Sequence, residues 1–317
     1  MKKIRVYIIF ICFNIYLFLS LFSCSSNDVN NKNETIKDRA GNEIVLPEKI
    51  ETIACLSPST TEIVLSLGLA DKIIASDSTS KEILQTNNID VSNISVFDML
   101  NPNSEKMTVL KPDIIFVNNF SVFGGKNSLD SIQNSGICIA VIPNSDTIKS
   151  IEDDILFLGN VLDKSDVASN IINIMDENIE KIRSIGETII NKKKVYFEIS
   201  ALPNIYSFGT NVYLDDMINI MGAENIFSNR NSWISASEEN VLFSNPDIIF
   251  TSVHYITNPT DEILSRESWQ NINALKNKDV YYIPSGSLPT HNIINALIMM
   301  AKYTYPNEYK DIEIIRN

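Results

Sequence analysis

Glu105 and Glu239 each stand seven residues ahead of a proline that opens the same string, Pro-Asp-Ile-Ile-Phe, at Pro112 to Phe116 and at Pro246 to Phe250. Between acid and proline both copies carry apolar residues: Met107, Val109 and Leu110 in the first, Val241, Leu242 and Phe243 in the second. Proline cannot continue a helix and biases the residue before it towards extended backbone. The apolar run after it, Ile-Ile-Phe, reads as a buried strand. Each copy is therefore expected to be a short helix, a turn and a central strand, with an acid in the helix's first turn. An acid there complements the helix dipole, worth about 0.3–1 kcal/mol. An exposed carboxylate is also suited to bidentate pairing with a guanidinium. Two such units, far apart in one chain, predict two similar α/β lobes, a cleft between them and a ligand in the cleft.

Other chemistry is sparse. No Gly-rich phosphate loop, Gly-x-Ser-x-Gly elbow or His-Glu-x-x-His helix occurs, so the chain is not expected to be an enzyme. His254 and His291 are the only histidines, and both fall in the second half. That is too few for a bare-metal cage drawn from two lobes; each is a hydrogen-bonding group or an axial ligand for a corrinoid or haem. Cys55 and Cys138 sit in apolar runs and read as buried free thiols, with a disulfide as the alternative. The absence of Cys-x-x-Cys argues against redox catalysis and a thiolate zinc site.

Lys2, Lys3 and Arg5 precede an apolar run from Val6 to Phe22 and small residues at Ser23 to Ser26. This is the layout of a secretory signal peptide over residues 1–23; the run is short for a membrane span, which needs about 20 apolar residues. Leu21-Phe22-Ser23-Cys24 is similar to a bacterial lipobox, which implies that Cys24 is acylated and begins the mature chain. Residues 24–37, polar and charged, are expected to be a flexible tether. The protein is thus expected to be exported and lipid-anchored, facing the periplasm or the cell exterior. The net charge of −13 argues against nucleic acid and against electrostatic docking on anionic lipid.

Beyond the tether, Asp38 to Pro47 reads as a hairpin with Gly41-Asn42 at its turn. Ile50 to Leu56 is the first buried strand. Ser59 and Glu62 have the spacing of a capping box for the next helix, and Gly68 closes that helix. Asp71 to Ser76, the first Pro-Asp unit, a helix near Leu129 to Asn134 and Ile137 to Ile142 complete an alternation that means a mainly parallel sheet covered by helices. After a helix from Ile148 to Leu162, residues 163–190 carry apolar positions at helical spacing and read as one long connecting helix. The fold class is α/β: two doubly wound, Rossmann-like lobes, residues 38–162 and 191–317, joined by that helix around a ligand cleft.

The chain resembles the solute-binding proteins of bacterial ABC importers, in the branch that handles cobalamin, ferric siderophores and haem. The resemblance is carried in order by Asp38-x-x-Gly41 with Leu46-Pro47, Ile53 to Ile63 with Leu67-Gly68, and Leu110 to Asp113. In the second lobe it is carried by Gly222 to Ile226, Trp233, Glu239, Asn245-Pro246-Asp247 and Trp269 with Ala274. It implies a monomer that captures a small-molecule metal chelate and delivers it to an ABC permease and its ATPase. No cofactor is implied; the lipid is the only covalent group. Glu105 and Glu239 match the family's docking glutamates, which meet permease arginines.

The resemblance further implies a cleft lined by Trp233 and Tyr206, with Phe97, Asp98 and Met99 in the loop before the first docking helix, and by Asn118. Trp233 and Tyr206 are equally readable as partly buried core aromatics. His291, in the loop before the last helix, and His254 are expected near the cleft. Asn118 and Ser78 stand where cobalamin binders often have aromatics. No arginine occurs between Arg39 and Arg183, which leaves Lys126 and Arg230 as thin provision for an anionic siderophore. A haem phenolate would have to come from Tyr206, Tyr213 or Tyr255. A corrinoid or a weakly charged iron chelate fits best; a surface adhesin or structural lipoprotein, and then a lipid-anchored hydrolase, are the alternatives.

Overall fold

The computed structural model describes residues 34–285, 288–313 and 315, so Cys24 and the expected signal peptide lie outside the described residues. From Thr35 onward the chain forms one compact unit. It begins with an antiparallel hairpin of β1 (Thr35–Lys37) and β2 (Glu43–Val45). The hairpin therefore starts within the stretch expected to be tether. Its turn is organised by Asp38, whose Oδ1 accepts the backbone N–H of Ala40 and Asn42. Asp38 Oδ2 accepts the N–H of Val141 at 2.9 Å, tying the hairpin to the first sheet.

The first lobe alternates β3 (Ile53–Leu56), α1 (Pro58–Ser66), β4 (Ile73–Ser76), α2 (Ser78–Thr86) and β5 (Ser95–Val96). It continues with α3 (Ser104–Leu110), β6 (Ile114–Val117), α4 (Asn119–Asn134), β7 (Cys138–Val141) and α5 (Ile148–Val161). Its five strands pair in parallel in the order β5-β4-β3-β6-β7. The central strands β3 and β6 are buried on both faces, as their unbroken apolar runs require. The expected capping box on α1 does not form. Pro58 takes the first helical position and Ser57 is the cap residue, without a side-chain cap bond. The Ser57 and Ser59 hydroxyls lie 3.2 Å apart instead.

α6 (Ser165–Gly186) is the expected connecting helix. It packs on α5 so closely that a Cβ on Gly159 would stand 2.4 Å from that of Ala168. At its other end a Cβ on Gly186 would meet the carbonyl oxygen of Ile220 at 2.2 Å.

The second lobe runs β8 (Lys194–Glu198), β9 (Tyr206–Phe208), α7 (Tyr213–Ile220), β10 (Glu224–Asn225), β11 (Trp233–Ser235) and α8 (Glu238–Ser244). β12 (Ile248–Thr251), α9 (Pro259–Ser265), α10 (Asn273–Asn277), β13 (Val280–Tyr282) and α11 (Ile293–Thr304) complete it. Its parallel sheet has the order β10-β8-β12-β13, while β9 and β11 form a separate antiparallel pair. Two α/β lobes result. Under the second sheet, Arg266 makes a bidentate pair with buried Glu198 (2.8 and 2.9 Å) and two bonds to Glu262, and its guanidinium lies over Trp269.

The two Pro-Asp units have one geometry. Asn103 and Ser237 cap α3 and α8 with their side chains, and both helices end on a left-handed residue, Lys111 (φ 50°) and Asn245 (φ 47°). Past the proline, Asp113 Oδ2 accepts the N–H of Thr52, next to β3, and Asp247 Oδ2 accepts that of Lys194, on β8. Each aspartate thus locks its helix–strand unit onto the neighbouring strand. Met107 and Val241 are the fully buried apolar residues of the two helices.

Candidate functional site

In doubly wound sheets, ligands bind outside the carboxyl ends of the strands. A cleft of about 350 Å³ lies there, between the lobes. The first lobe contributes the turns just after its strands: Ser57 to Ser59 after β3, Asn118 and Phe120 after β6, and Asn144 to Asp146 after β7, with Met99. The second lobe contributes Tyr213 at the start of α7, Trp233 on β11, and Leu288 with Pro289 after β13.

Trp233 is fixed from several sides. Its ring meets Phe208 and Tyr213 edge-on, with centroids 6.0 and 6.1 Å away, and its Nε1–H donates to Asp146 Oδ1 at 3.1 Å. The backbone N–H of Tyr213 donates to the carbonyl of Asp146 at 2.6 Å, so the same residue takes a second bond from the other lobe. The loop that carries it is braced from behind: buried Asp154 accepts from Ser145 Oγ and from Arg39 Nε. Burial raises the Asp154 carboxyl from its ordinary value, against the pull of Arg39 and Ser145. Asn118 caps α4 through Oδ1, which accepts the Ser121 N–H, and its Nδ2 points at Met99 Sδ (3.4 Å).

The walls combine aromatic and aliphatic surface with amides and hydroxyls; Asp146 is the one charged residue among the described lining residues. No group of three or more His, Cys, Asp or Glu side chains able to hold a metal ion occurs among the described residues.

Of the residues expected at the cleft, the structure brings together Asn118, Trp233 and Met99. Phe97 is instead a core residue, 6% exposed among the apolar residues under the first sheet, because it follows β5 with its side chain facing inward. Asp98 faces solvent and caps its own turn, accepting the N–H of Leu100 and Asn101. Tyr206 lies on β9 but is exposed outside the cleft lining, as are Tyr255 and His254. Ser78, Lys126 and Arg230 are surface residues. His291 is two residues beyond the lining pair Leu288-Pro289 and is turned into the protein. Its Nδ1 is buried without a partner, and burial lowers its pKa to about 4.

Of the three tyrosines named for a haem phenolate, Tyr213 alone lines the cleft. Ser57, Ser59, Phe120, Asn144 and Asp146 were not singled out for the cleft from sequence; their signal is position alone, since each follows the end of a predicted strand by a few residues. Glu105 and Glu239 are exposed in the first turns of α3 and α8. Hydrogen bonds from the Glu239 backbone and Ser237 lower the Glu239 pKa. Cys55 and Cys138 are free thiols.

Comparison with known proteins agrees with this fold. The chain is 24% identical to the ABC transporter substrate-binding lipoprotein YvrC of Bacillus subtilis, over 87% of both chains. It is 24% identical to the vitamin B12-binding protein of Vibrio parahaemolyticus, over 81% of this chain and 90% of that one. Among solved structures, the molybdate-bound binding protein MolA of Haemophilus influenzae superposes with a TM-score of 0.74 at 21% identity, covering 88% of this chain and 94% of the other. Residues 53–286 match the periplasmic binding protein family, and the chain belongs to it: a solute-binding protein of the ABC-importer type, not an enzyme.

Proposed function

We propose that this protein is the capture subunit of an ABC importer, that its cargo is an uncharged or weakly charged metal chelate, and that a corrinoid is the first candidate. The observation that carries the cargo reading is the character of the interlobe cleft: aromatic Trp233, Tyr213 and Phe120 beside the amides of Asn118 and Asn144 and the hydroxyls of Ser57 and Ser59. Amide-fringed corrin rings offer apolar faces to the first set and hydrogen-bonding groups to the second. At about 350 Å³ the cleft is at the small end for a ligand site, so a corrinoid would enter by one edge and protrude. A chelate brings its own metal ligands and asks none of the protein.

The rest of the proposal concerns placement and delivery. Cys24 carries the lipid that holds a monomer at the membrane. Glu105 and Glu239, one per lobe, meet arginines of the permease, and the ATPase drives release. Reversing both charges should abolish uptake in cells while leaving cargo binding intact; unchanged uptake would count heavily against an import role. A Cys24→Ser variant should leave the membrane fraction.

A smaller oxyanion is the second reading, favoured by α1. Its N-terminus opens at the cleft with no side-chain cap, beside the Ser57 and Ser59 hydroxyls. Fluorescence titration of the chain from residue 25 onward with cobalamin, cobinamide, haem, a ferric hydroxamate and molybdate separates the two. Saturable quenching by a corrinoid supports the first reading. Binding of molybdate alone would replace it.

A further inference from the structure

The duplicated unit carries a feature for which neither lobe has an internal use. Val109 and Phe243 occupy the same position of α3 and α8, four residues after Glu105 and Glu239. Both are left almost bare, at 87% and 92% exposed, while Met107 and Val241, two residues earlier, are fully buried. Residues four apart on a helix lie one above the other on the same face. Each lobe therefore presents a carboxylate with an apolar side chain beside it. One exposed apolar residue is ordinary. The same position left bare in both copies of one unit, each time next to the carboxylate, is not. The matching caps and left-handed ends make the two patches rigid copies.

We infer that Val109 and Phe243 are apolar anchors for the permease, each seated in a hollow of the transmembrane subunits beside the cation that meets Glu105 or Glu239. This rests on the import role proposed above. Charge selects the partner: the chain carries −13 overall, Glu239 stands beside Glu238 in the second patch, and Glu105 is the acid of the first, where Lys106 and Lys111 flank it. The complementary surface is therefore basic at the two carboxylates and most so opposite the second lobe. Duplication selects its form, because two copies of one patch suit a partner that shows one site twice, as a two-fold symmetric pair of subunits does. The apolar neighbour excludes water from the ion pair and strengthens it. Phe243 offers more area than Val109, so the second lobe supplies the larger share of the grip.

The test uses the intact chain and its cognate permease–ATPase complex in nanodiscs, with docking measured for Val109→Ser, Phe243→Ser, the double variant, and Glu105→Lys with Glu239→Lys. Cobalamin affinity and thermal midpoint are followed in parallel. The double serine variant should dock about tenfold or more weakly, Phe243→Ser contributing most, with cobalamin affinity and midpoint unchanged. Wild-type docking by the double serine variant, while charge reversal fails, would overturn the anchors and leave the import role standing. Absence of docking by the wild-type chain would remove the import role, and the anchors with it.

Discussion

Trp233 and Asp146 hold each other across the cleft: the indole N–H of one lobe donates to a carboxylate oxygen of the other at 3.1 Å. The bond is on the exposed side, so its contribution to stability is small, about 0.5–1.5 kcal/mol. Its consequence is positional, since it fixes the largest aromatic of the cleft against the loop after β7.

Trp233→Phe keeps a ring and removes the donor. It is expected to weaken cobalamin binding several-fold, whereas Trp233→Ala, which removes a buried aromatic contact of about 1.5–3 kcal/mol, should cost roughly ten- to a hundredfold. Isothermal titration of the two variants decides it. Unaltered affinity in the alanine variant would take the ring out of the binding site.

Arg266 is the stability prediction. Its bidentate partner Glu198 is almost wholly enclosed, so Arg266→Ala leaves a buried carboxylate with no cation and only the Tyr196 hydroxyl as donor, and should cost about 3–5 kcal/mol in urea unfolding. Replacing both, with Arg266→Met and Glu198→Leu, should cost clearly less, because no charge is then stranded. Equal losses would mean that packing around Trp269, rather than charge, is what the arginine supplies.

His291 gives the chain an acid sensitivity. Its folded pKa, about 4, lies below the ordinary histidine value of 6.5. The unfolded chain therefore binds the extra proton first, and stability present at neutral pH is lost as pH falls from about 6.5 towards 4. The upper bound on that loss is about 3 kcal/mol. His291→Gln should flatten the difference between thermal midpoints at pH 7 and pH 5. If wild type and variant lose the same amount, the acid response belongs to carboxylates elsewhere.

Cys55 and Cys138 should be silent in the folded protein. Burial pushes the Cys55 thiol up to about 12 and Cys138 to about 11, which leaves almost no thiolate at neutral pH. A thiol reagent should label neither until the chain is unfolded, then both; rapid labelling of Cys138 in native buffer would show that β7 opens locally.

The architecture was legible where chemistry leaves few choices. A proline after a short amphipathic stretch and before Ile-Ile-Phe admits one arrangement, and both units adopt it down to the aspartate that grips the next strand. The connecting helix was equally plain from its spacing. The first strand was missed because Thr35–Lys37 looks polar; its order comes from backbone pairing with β2 and from Asp38 reaching Val141, neither of which has a composition signature. The capping box failed for a local reason, Pro58 setting the helix start two residues early, with Ser57 rather than Ser59 at the cap. The site was read least well. Whether Phe97 or Met99 faces the cleft depends on how the chain turns after a two-residue strand, and sequence carries little about that turn. Asp146 became important only once a tryptophan 87 residues away was brought to it.

The connecting helix is pinned at both ends, by the Gly159–Ala168 contact and by the Gly186–Gly222 crossing, where the Tyr309 hydroxyl also bridges to the carbonyls of Ile182 and Met221. Such a joint transmits rather than bends. An occupied cleft cannot advertise itself by a sweeping change of outline, so on the import reading the message is metrical: a slight alteration in the span between α3 and α8, gauged by a transporter that touches both at once.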